Sequence, residues 1–78
     1  MKLIVLGLPR NFDAQELEKL FNDHGTVTGC DLVLDDQTGA SKGFGFVEME
    51  SEEDAMAAIQ ELHGTKVKQS KIRVKPAT

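Results

Sequence analysis

The sequence predicts an α+β fold in which two helices pack against one face of a four-stranded antiparallel sheet. The chain has 78 residues, which is enough for one hydrophobic core and one domain over residues 1–78. Strand-like and helix-like hydrophobic patterns follow one another in the order β-α-β-β-α-β. Because two helices can cover only one face of such a sheet, we expect the ferredoxin-like arrangement, with the first and third strands side by side in the centre.

The first strand and first helix are predicted from an apolar run followed by helix-capping residues. Residues 3–6 are continuously apolar and precede a turn containing Gly, Pro and Asn, as expected of a central strand. Asp13 is a suitable N-cap, and Glu16 three residues later can complete a capping box. Gly25 can adopt the left-handed conformation that ends many helices. We therefore expect a helix over residues 13–24.

The two middle strands are separated by a segment with turn composition. Residues 26–34 are rich in β-branched and apolar side chains, and Gly29 within them predicts a β-bulge. Residues 35–41 consist mainly of Asp, Gly, Ser and Thr, which is typical of a turn. Residues 44–49 form the third predicted strand.

The second helix and the last strand complete the predicted domain. Ser51 is the expected N-cap, and an apolar helical face follows it before Gly64 ends the helix. Residues 71–75 alternate strictly between basic and apolar side chains, which predicts a single strand.

Composition excludes several classes of protein. Hydrophobic residues make up 40% and charged residues 28% of the chain, and no apolar run is long enough for a transmembrane helix. The N-terminus has too short an apolar stretch for a signal peptide, so we expect a cytoplasmic protein without membrane contact. The single cysteine, Cys30, excludes an internal disulfide and a multi-cysteine zinc site, and we expect no cofactor.

Charge is sorted along the sequence although the total is acidic. Thirteen acidic and nine basic residues give a net charge of −4, which is unusual for a nucleic-acid-binding protein. Residues 48–61 contain acidic but no basic residues, whereas residues 66–75 contain basic but no acidic residues. We expect the fold to place these two kinds of charge on different faces.

The third strand predicts which side chains lie on the sheet face that the helices leave open. Side chains alternate between the two faces of a strand, so Phe44, Phe46 and Glu48 share one face with Lys42. Burying that set would desolvate a lysine and a glutamate, whereas the alternate set is apolar or glycine. Phe44 and Phe46 are therefore expected on the open face, where flat rings can stack unpaired bases.

The last strand predicts a group of cations on the same face. Lys71, Arg73 and Lys75 alternate with apolar residues that belong in the core, and Lys2 lies on the neighbouring first strand. These cations can contact phosphates. Asp31 is expected to lie on the open face and, like Glu48, to repel phosphates. Two glycines flank Phe44, which suggests that a ligand can approach the backbone there.

Residues 42–49, Lys-Gly-Phe-Gly-Phe-Val-Glu-Met, resemble the octapeptide signature of the RNA-recognition motif family. Residues 3–8 are similar to the family's hexapeptide on the first strand. The resemblance implies that the sheet binds single-stranded RNA, with Phe44 and Phe46 contacting bases or sugars and Lys42 contacting a phosphate. Ile4 falls where the family usually has a third stacking aromatic, so we expect weak to moderate affinity.

Two classes of function are open at this point. The first is a single-domain protein that binds single-stranded RNA, with single-stranded DNA as a second candidate ligand. The alternative is a protein-interaction module of the same fold, in which an apolar patch on the open face, formed by Ile4, Leu6, Val33, Phe44 and Phe46, binds a partner or a second copy. An enzyme is not expected, because no nucleophile, base and orienting group occur together in the sequence. We expect a monomer rather than a homodimer.

Overall fold

A single four-stranded sheet carries the two helices, and a short hairpin follows the second helix. The computed structural model describes residues 1–39 and 41–77, apart from the side chains of Ser41 and Lys42. Within these residues the elements are β1 (Lys2–Leu6), α1 (Ala14–Asn22), β2 (Val27–Leu34), β3 (Ser41–Met49), α2 (Glu52–Leu62), β4 (Lys66–Val67), β5 (Ser70–Lys71) and β6 (Arg73–Pro76). The large sheet has the strand order β2-β3-β1-β6, and β4 pairs with β5.

The central position of β1 and β3 confirms the predicted ferredoxin-like topology. All strand pairs of the large sheet are antiparallel, and β1 is hydrogen-bonded to both β3 and β6. Leu3 and Val5 of β1 are fully buried, whereas Lys2, Ile4 and Leu6, which alternate with them, are not. The two helices cover the face that holds the buried residues. The core consists of Leu3, Val5, Leu8, Phe12, Leu17, Phe21, Val47, Met49, Ala55, Ala58, Leu62, Ile72 and Val74.

The first helix begins as predicted but ends at Asn22, two residues before the predicted end at residue 24. The side chain of Asp13 accepts a hydrogen bond from the backbone amide of Glu16 at 2.8 Å, as an N-cap should. The Glu16 carboxylate does not complete the capping box; it forms an ion pair with Lys68, 2.6 Å away. Gly25 is not in the left-handed conformation, so that prediction was wrong. A Cβ at Gly25 would lie 2.6 Å from the Cβ of Asp54, so glycine is needed there for the close approach of α2.

The second helix has the predicted caps. The Ser51 hydroxyl accepts a hydrogen bond from the amide of Asp54 at 3.3 Å, and Gly64, just after the helix, has a φ of +85°. In the described part of the chain, neither helix combines the length and the apolarity required to cross a lipid bilayer.

The second strand and its turn also follow the predicted pattern. The register between β2 and β3 shifts between Val27 and Gly29, which confirms the bulge. After β2, the Asp35 carboxylate accepts hydrogen bonds from the amides of Gln37 and Thr38, at 2.8 and 3.2 Å. These bonds stabilise the turn that was expected in this segment.

The last strand is shorter than predicted, because the segment before it is diverted into a hairpin. Lys71 belongs to β5 and lies opposite Lys66 of β4, and β6 begins only at Arg73. Between them, the amide of Ile72 donates to the Thr65 carbonyl at 2.9 Å. This bond holds Ile72 against the segment after α2. Lys71 therefore belongs to the hairpin and not to the last strand, which was predicted to begin at Lys71.

Candidate functional site

The sheet face opposite the helices, here called the open face, carries the side chains that alternate with the core residues. Phe44 and Phe46 on β3 are partly exposed, whereas Gly45 and Val47 between and after them are buried. The prediction that both rings lie on the open face is therefore confirmed. The described residues that the strand register places on this face include Lys2, Ile4, Leu6, Asp31, Phe44, Phe46, Glu48, Arg73 and Lys75.

These side chains form rows that run across the sheet. The strand register gives the two rows Asp31–Phe46–Ile4–Lys75 and Phe44–Leu6–Arg73. Each phenylalanine therefore lies next to an aliphatic side chain of β1, with a cation of β6 beyond it. Leu6 was expected on this face as part of the apolar patch of the protein-interaction alternative, but it was not among the predicted RNA contacts. Its place between a ring and a cation depends on the pairing of β1 with both neighbours.

The two aromatic rings are perpendicular to each other. The ring centroids of Phe44 and Phe46 are 6.3 Å apart and the ring planes meet at 84°, which is a favourable edge-to-face arrangement. A flat base that stacks on one ring therefore lies perpendicular to the plane of the other ring. The rings cannot support two successive bases in the same orientation, as flat neighbouring rings would.

A lysine ammonium lies over one of the rings. The Nζ of Lys2 is 5.2 Å from the ring centroid of Phe46, within the range of a cation–π interaction. Lys2 also lies opposite Glu48 across the β1–β3 pair. The ammonium of Lys2, one of the cations predicted for this face, is thus held beside the ring of Phe46.

The charges of the open face are predominantly positive in the described part of the chain. Lys2, Arg73 and Lys75 oppose the two carboxylates of Asp31 and Glu48. The side chain of Lys42, the predicted phosphate contact, lies outside the described residues. The exposed acidic side chains of the two helices lie behind the sheet, and they are Glu18, Glu52, Glu53 and Glu61.

Lys71 does not join this row of cations. Its Cε lies 3.8 Å from where a Cβ on Gly64 would be, in the hairpin region after α2. Its carbonyl oxygen lies 2.5 Å from the position of a Cβ on Gly7, which has a φ of +77°. The hairpin therefore passes close to the end of β1, and glycine is required there.

Gly45 is explained by packing rather than by ligand access. A Cβ at this position would lie 2.6 Å from the carbonyl oxygen of Asp31 and 3.1 Å from a methyl group of Leu17. It faces α1 and the core, so the expectation that Gly45 opens the backbone to a ligand was wrong. Gly43, with a φ of +88°, adopts a backbone conformation that favours glycine.

The thiol of Cys30 lies on the helix side of β2. Its Sγ contacts the carbonyl oxygen of Ala14 at 3.5 Å. Burial raises the pKa of the Cys30 thiol to about 11, with smaller contributions from the negative charges of Glu18 and Asp31. A thiol with a raised pKa is a poor nucleophile at neutral pH, as expected of a packing residue.

Comparison with known proteins agrees with the resemblance of the octapeptide. Residues 3–73 match the RNA recognition motif family. The chloroplastic RNA-binding protein CP31B of Arabidopsis thaliana is 40% identical over 76 residues, which are 97% of this chain and 26% of that protein. The chain spans only 26% of the length of this relative, 33% of the chloroplastic 28 kDa ribonucleoprotein of Spinacia oleracea and 22% of the Sex-lethal homolog of Megaselia scalaris. Because these relatives include chloroplastic proteins, a cytoplasmic location stays a prediction.

Solved structures agree in fold along almost the whole chain. The crystal structure of RNA-binding protein PG1 superposes with a TM-score of 0.95 at 40% identity and covers 99% of this chain and 93% of that one. A complex of the Sxl-lethal protein with RNA gives a TM-score of 0.93 at 36% identity, covering 99% of this chain and 46% of that one. The family match, the strand order and the octapeptide at residues 42–49 together show that the chain belongs to the RNA recognition motif family.

Proposed function

We propose that this domain binds single-stranded RNA on the open face. The observation that carries the proposal is the pair of partly exposed rings, Phe44 and Phe46, at the centre of a face whose β6 margin is cationic. The family is one of RNA-binding proteins and not of enzymes, and the similar Sxl-lethal protein is bound to RNA. Both facts favour RNA over a protein partner as the ligand of this face.

Phe46 is proposed as the stacking platform for a base. An aromatic ring in such a groove contributes about 1–3 kcal/mol per stacked base. Because Phe44 is perpendicular to Phe46, it meets the same nucleotide edge-on and is suited to contact the sugar or the side of a neighbouring base. Ile4, next to Phe46, extends the apolar surface without adding a second parallel ring.

The phosphates are proposed to lie along the β6 margin. Arg73 and Lys75 project there, and Lys2 can leave the face of Phe46 for a phosphate when a base takes its place. The exchange of a cation–π interaction for a phosphate contact keeps the ammonium paired in both states. Single-stranded DNA offers similar flat bases and the same phosphates and is the second candidate ligand.

The proposed affinity is weak to moderate. The aliphatic side chain of Ile4 lacks the stacking that an aromatic side chain would add, which contributes about 1–3 kcal/mol to the binding free energy. The carboxylates of Asp31 and Glu48 repel phosphates on the same face, and the acidic helices make the net charge of the chain −4. These terms reduce binding without removing the stacking platform.

The proposal is tested by titrating a labelled octanucleotide at several salt concentrations. Three phosphate contacts give a slope of log affinity against log salt of about −2.1. The double variant Phe44→Ala/Phe46→Ala is expected to lose at least about tenfold in affinity. Met56→Ala on α2, half-exposed and remote from the sheet face, is the matched control and should bind like the parent.

The decisive outcome is the behaviour of a folded double variant. If its circular dichroism matches the parent and it binds RNA equally well, the open face is not the RNA site. A protein-interaction module would instead show self-association or partner binding that is nearly independent of salt. Light scattering at low and high salt distinguishes that alternative.

A further inference from the structure

The open face places an unpaired carboxylate next to the proposed stacking ring. Asp31 on β2 is exposed and lies directly opposite Phe46 in the β2–β3 register. Across the described part of the chain, no side chain donates a hydrogen bond or forms an ion pair to its carboxylate. Glu48 differs, because the register places a cation, Lys2, opposite it.

The arrangement of charge across the sheet determines which way a bound nucleotide is oriented, with its phosphate toward β6 and its base toward β2. The row Asp31–Phe46–Ile4–Lys75 crosses three strand spacings, or about 14 Å. A nucleotide whose phosphate is attracted to Lys75 and whose base stacks on Phe46 points the outer edge of that base toward Asp31. Repulsion between Asp31 and phosphate disfavours the opposite direction.

A carboxylate distinguishes the four bases by their hydrogen-bond donors. It only accepts hydrogen bonds and has two oxygens that can be engaged together. Guanine presents two adjacent donors, N1–H and the N2 amino group, on one edge. Adenine and cytosine each present one amino group, and the single N–H of uracil lies between two carbonyl oxygens that a carboxylate repels.

We propose that Asp31 is a specificity-determining residue that selects guanine for the base stacked on Phe46. This inference rests on the proposed function, since it needs a base on that ring. The carboxylate that weakens general attraction for phosphates is thereby the group that discriminates between bases. Its expected contribution is a preference for guanine over uracil of about tenfold or more.

The test uses four labelled RNA pentanucleotides, UUNUU, in which N is G, A, C or U. A short RNA can bind the open face in several registers. The register in which the base that Asp31 prefers stacks on Phe46 is then the most populated. We expect the strand with G to bind most tightly and the strand with U most weakly. Replacing G by inosine, which keeps N1–H and lacks the amino group, should remove most of the preference.

Two isosteric variants separate recognition from charge. Asp31→Asn should reduce the preference for G over U to less than about threefold, because one of the two acceptor oxygens is replaced by an amino group that donates and opposes one of the two adjacent donors of guanine. Glu48→Gln removes a carboxylate from the same face and should raise affinity for all four strands by a similar factor. Neither exposed side chain has a structural contact in the core.

Each outcome supports or overturns the inference. A retained preference in Asp31→Asn, or equal binding of the G and inosine strands, overturns it. Equal binding of all four strands by the parent, with binding still dependent on Phe44 and Phe46, overturns it and leaves the proposed function intact. No binding of any strand contradicts the proposed function as well.

Discussion

Ile4 of β1 lies directly opposite Phe46 of β3, with Lys75 of β6 on its other side. The aliphatic side chain therefore occupies the centre of the open face, between the proposed base platform and a cation. A larger flat side chain at this position would extend the platform toward the β6 margin without entering the core, since Ile4 is only half-buried.

Ile4→Phe is therefore expected to increase RNA affinity. One additional stacked base contributes about 1–3 kcal/mol, which corresponds to roughly tenfold or more in the dissociation constant. Fluorescence anisotropy with a labelled octanucleotide measures the change. Met56→Phe adds the same ring to an exposed site on α2 and should leave affinity unchanged. Unaltered binding by a folded Ile4→Phe variant would argue against a base at this position.

Gly45→Ala is expected to destabilise the domain. The added methyl group would lie 2.6 Å from the carbonyl oxygen of Asp31 and 3.1 Å from Leu17, so β2 or α1 must shift. Overpacking of this kind costs about 1–3 kcal/mol of the free energy of unfolding, measurable by urea denaturation. Gly29→Ala is the control, because its methyl group would make an ordinary contact of 3.5 Å with Glu48. Equal stability of the two variants would contradict this packing argument.

His63 protects the edge of the sheet. Its Nδ1 accepts a hydrogen bond from the amide of Val74 at 3.1 Å, on the side of β6 that faces away from β1. His63→Ala should lower the free energy of unfolding by about 0.5–1.5 kcal/mol and speed hydrogen exchange at the Val74 amide. His63→Asn, which keeps an acceptor on the side chain, should restore part of the loss. An unchanged exchange rate at Val74 in the alanine variant would exclude this role.

Cys30 is expected to make stability depend on alkaline pH. The folded pKa of about 11 exceeds the reference value of 9.0, so the folded state holds the thiol proton more tightly than the unfolded state. This contribution to stability is complete below pH 9 and is lost as the pH rises toward 11. Because other groups also titrate there, the measurement is the difference in unfolding free energy between the parent and Cys30→Ala across this range. A constant difference would contradict the raised pKa.

Lys2 is expected to contribute one phosphate contact to binding. Lys2→Met keeps most of the aliphatic length and removes the charge, so the slope of log affinity against log salt should become shallower by about 0.7. Lys19→Met on α1 removes the same charge from the opposite side of the domain and should leave the slope unchanged. A slope that Lys2→Met does not change would show that the ammonium stays on the Phe46 ring when RNA binds.

Local sequence patterns determined the fold class and the face on which the two rings lie. The alternation of charged and apolar residues along β3 leaves only one face that can be buried without desolvating a charge. The caps at Asp13 and Ser51 likewise depend on contacts within three residues. Strand alternation and helix caps can be predicted because the residues that determine them are neighbours in the sequence.

The tertiary structure alone decided how the site is assembled. The hydrogen bonds of Ile72 to the segment after α2 remove Lys71 from the last strand, and no local pattern indicates them. The pairing of β1 with β6 places Leu6 beside Arg73, and packing of the rings sets their angle of 84°. Sequence alternation assigns a residue to a face, but only strand order and register decide which residues on that face become neighbours.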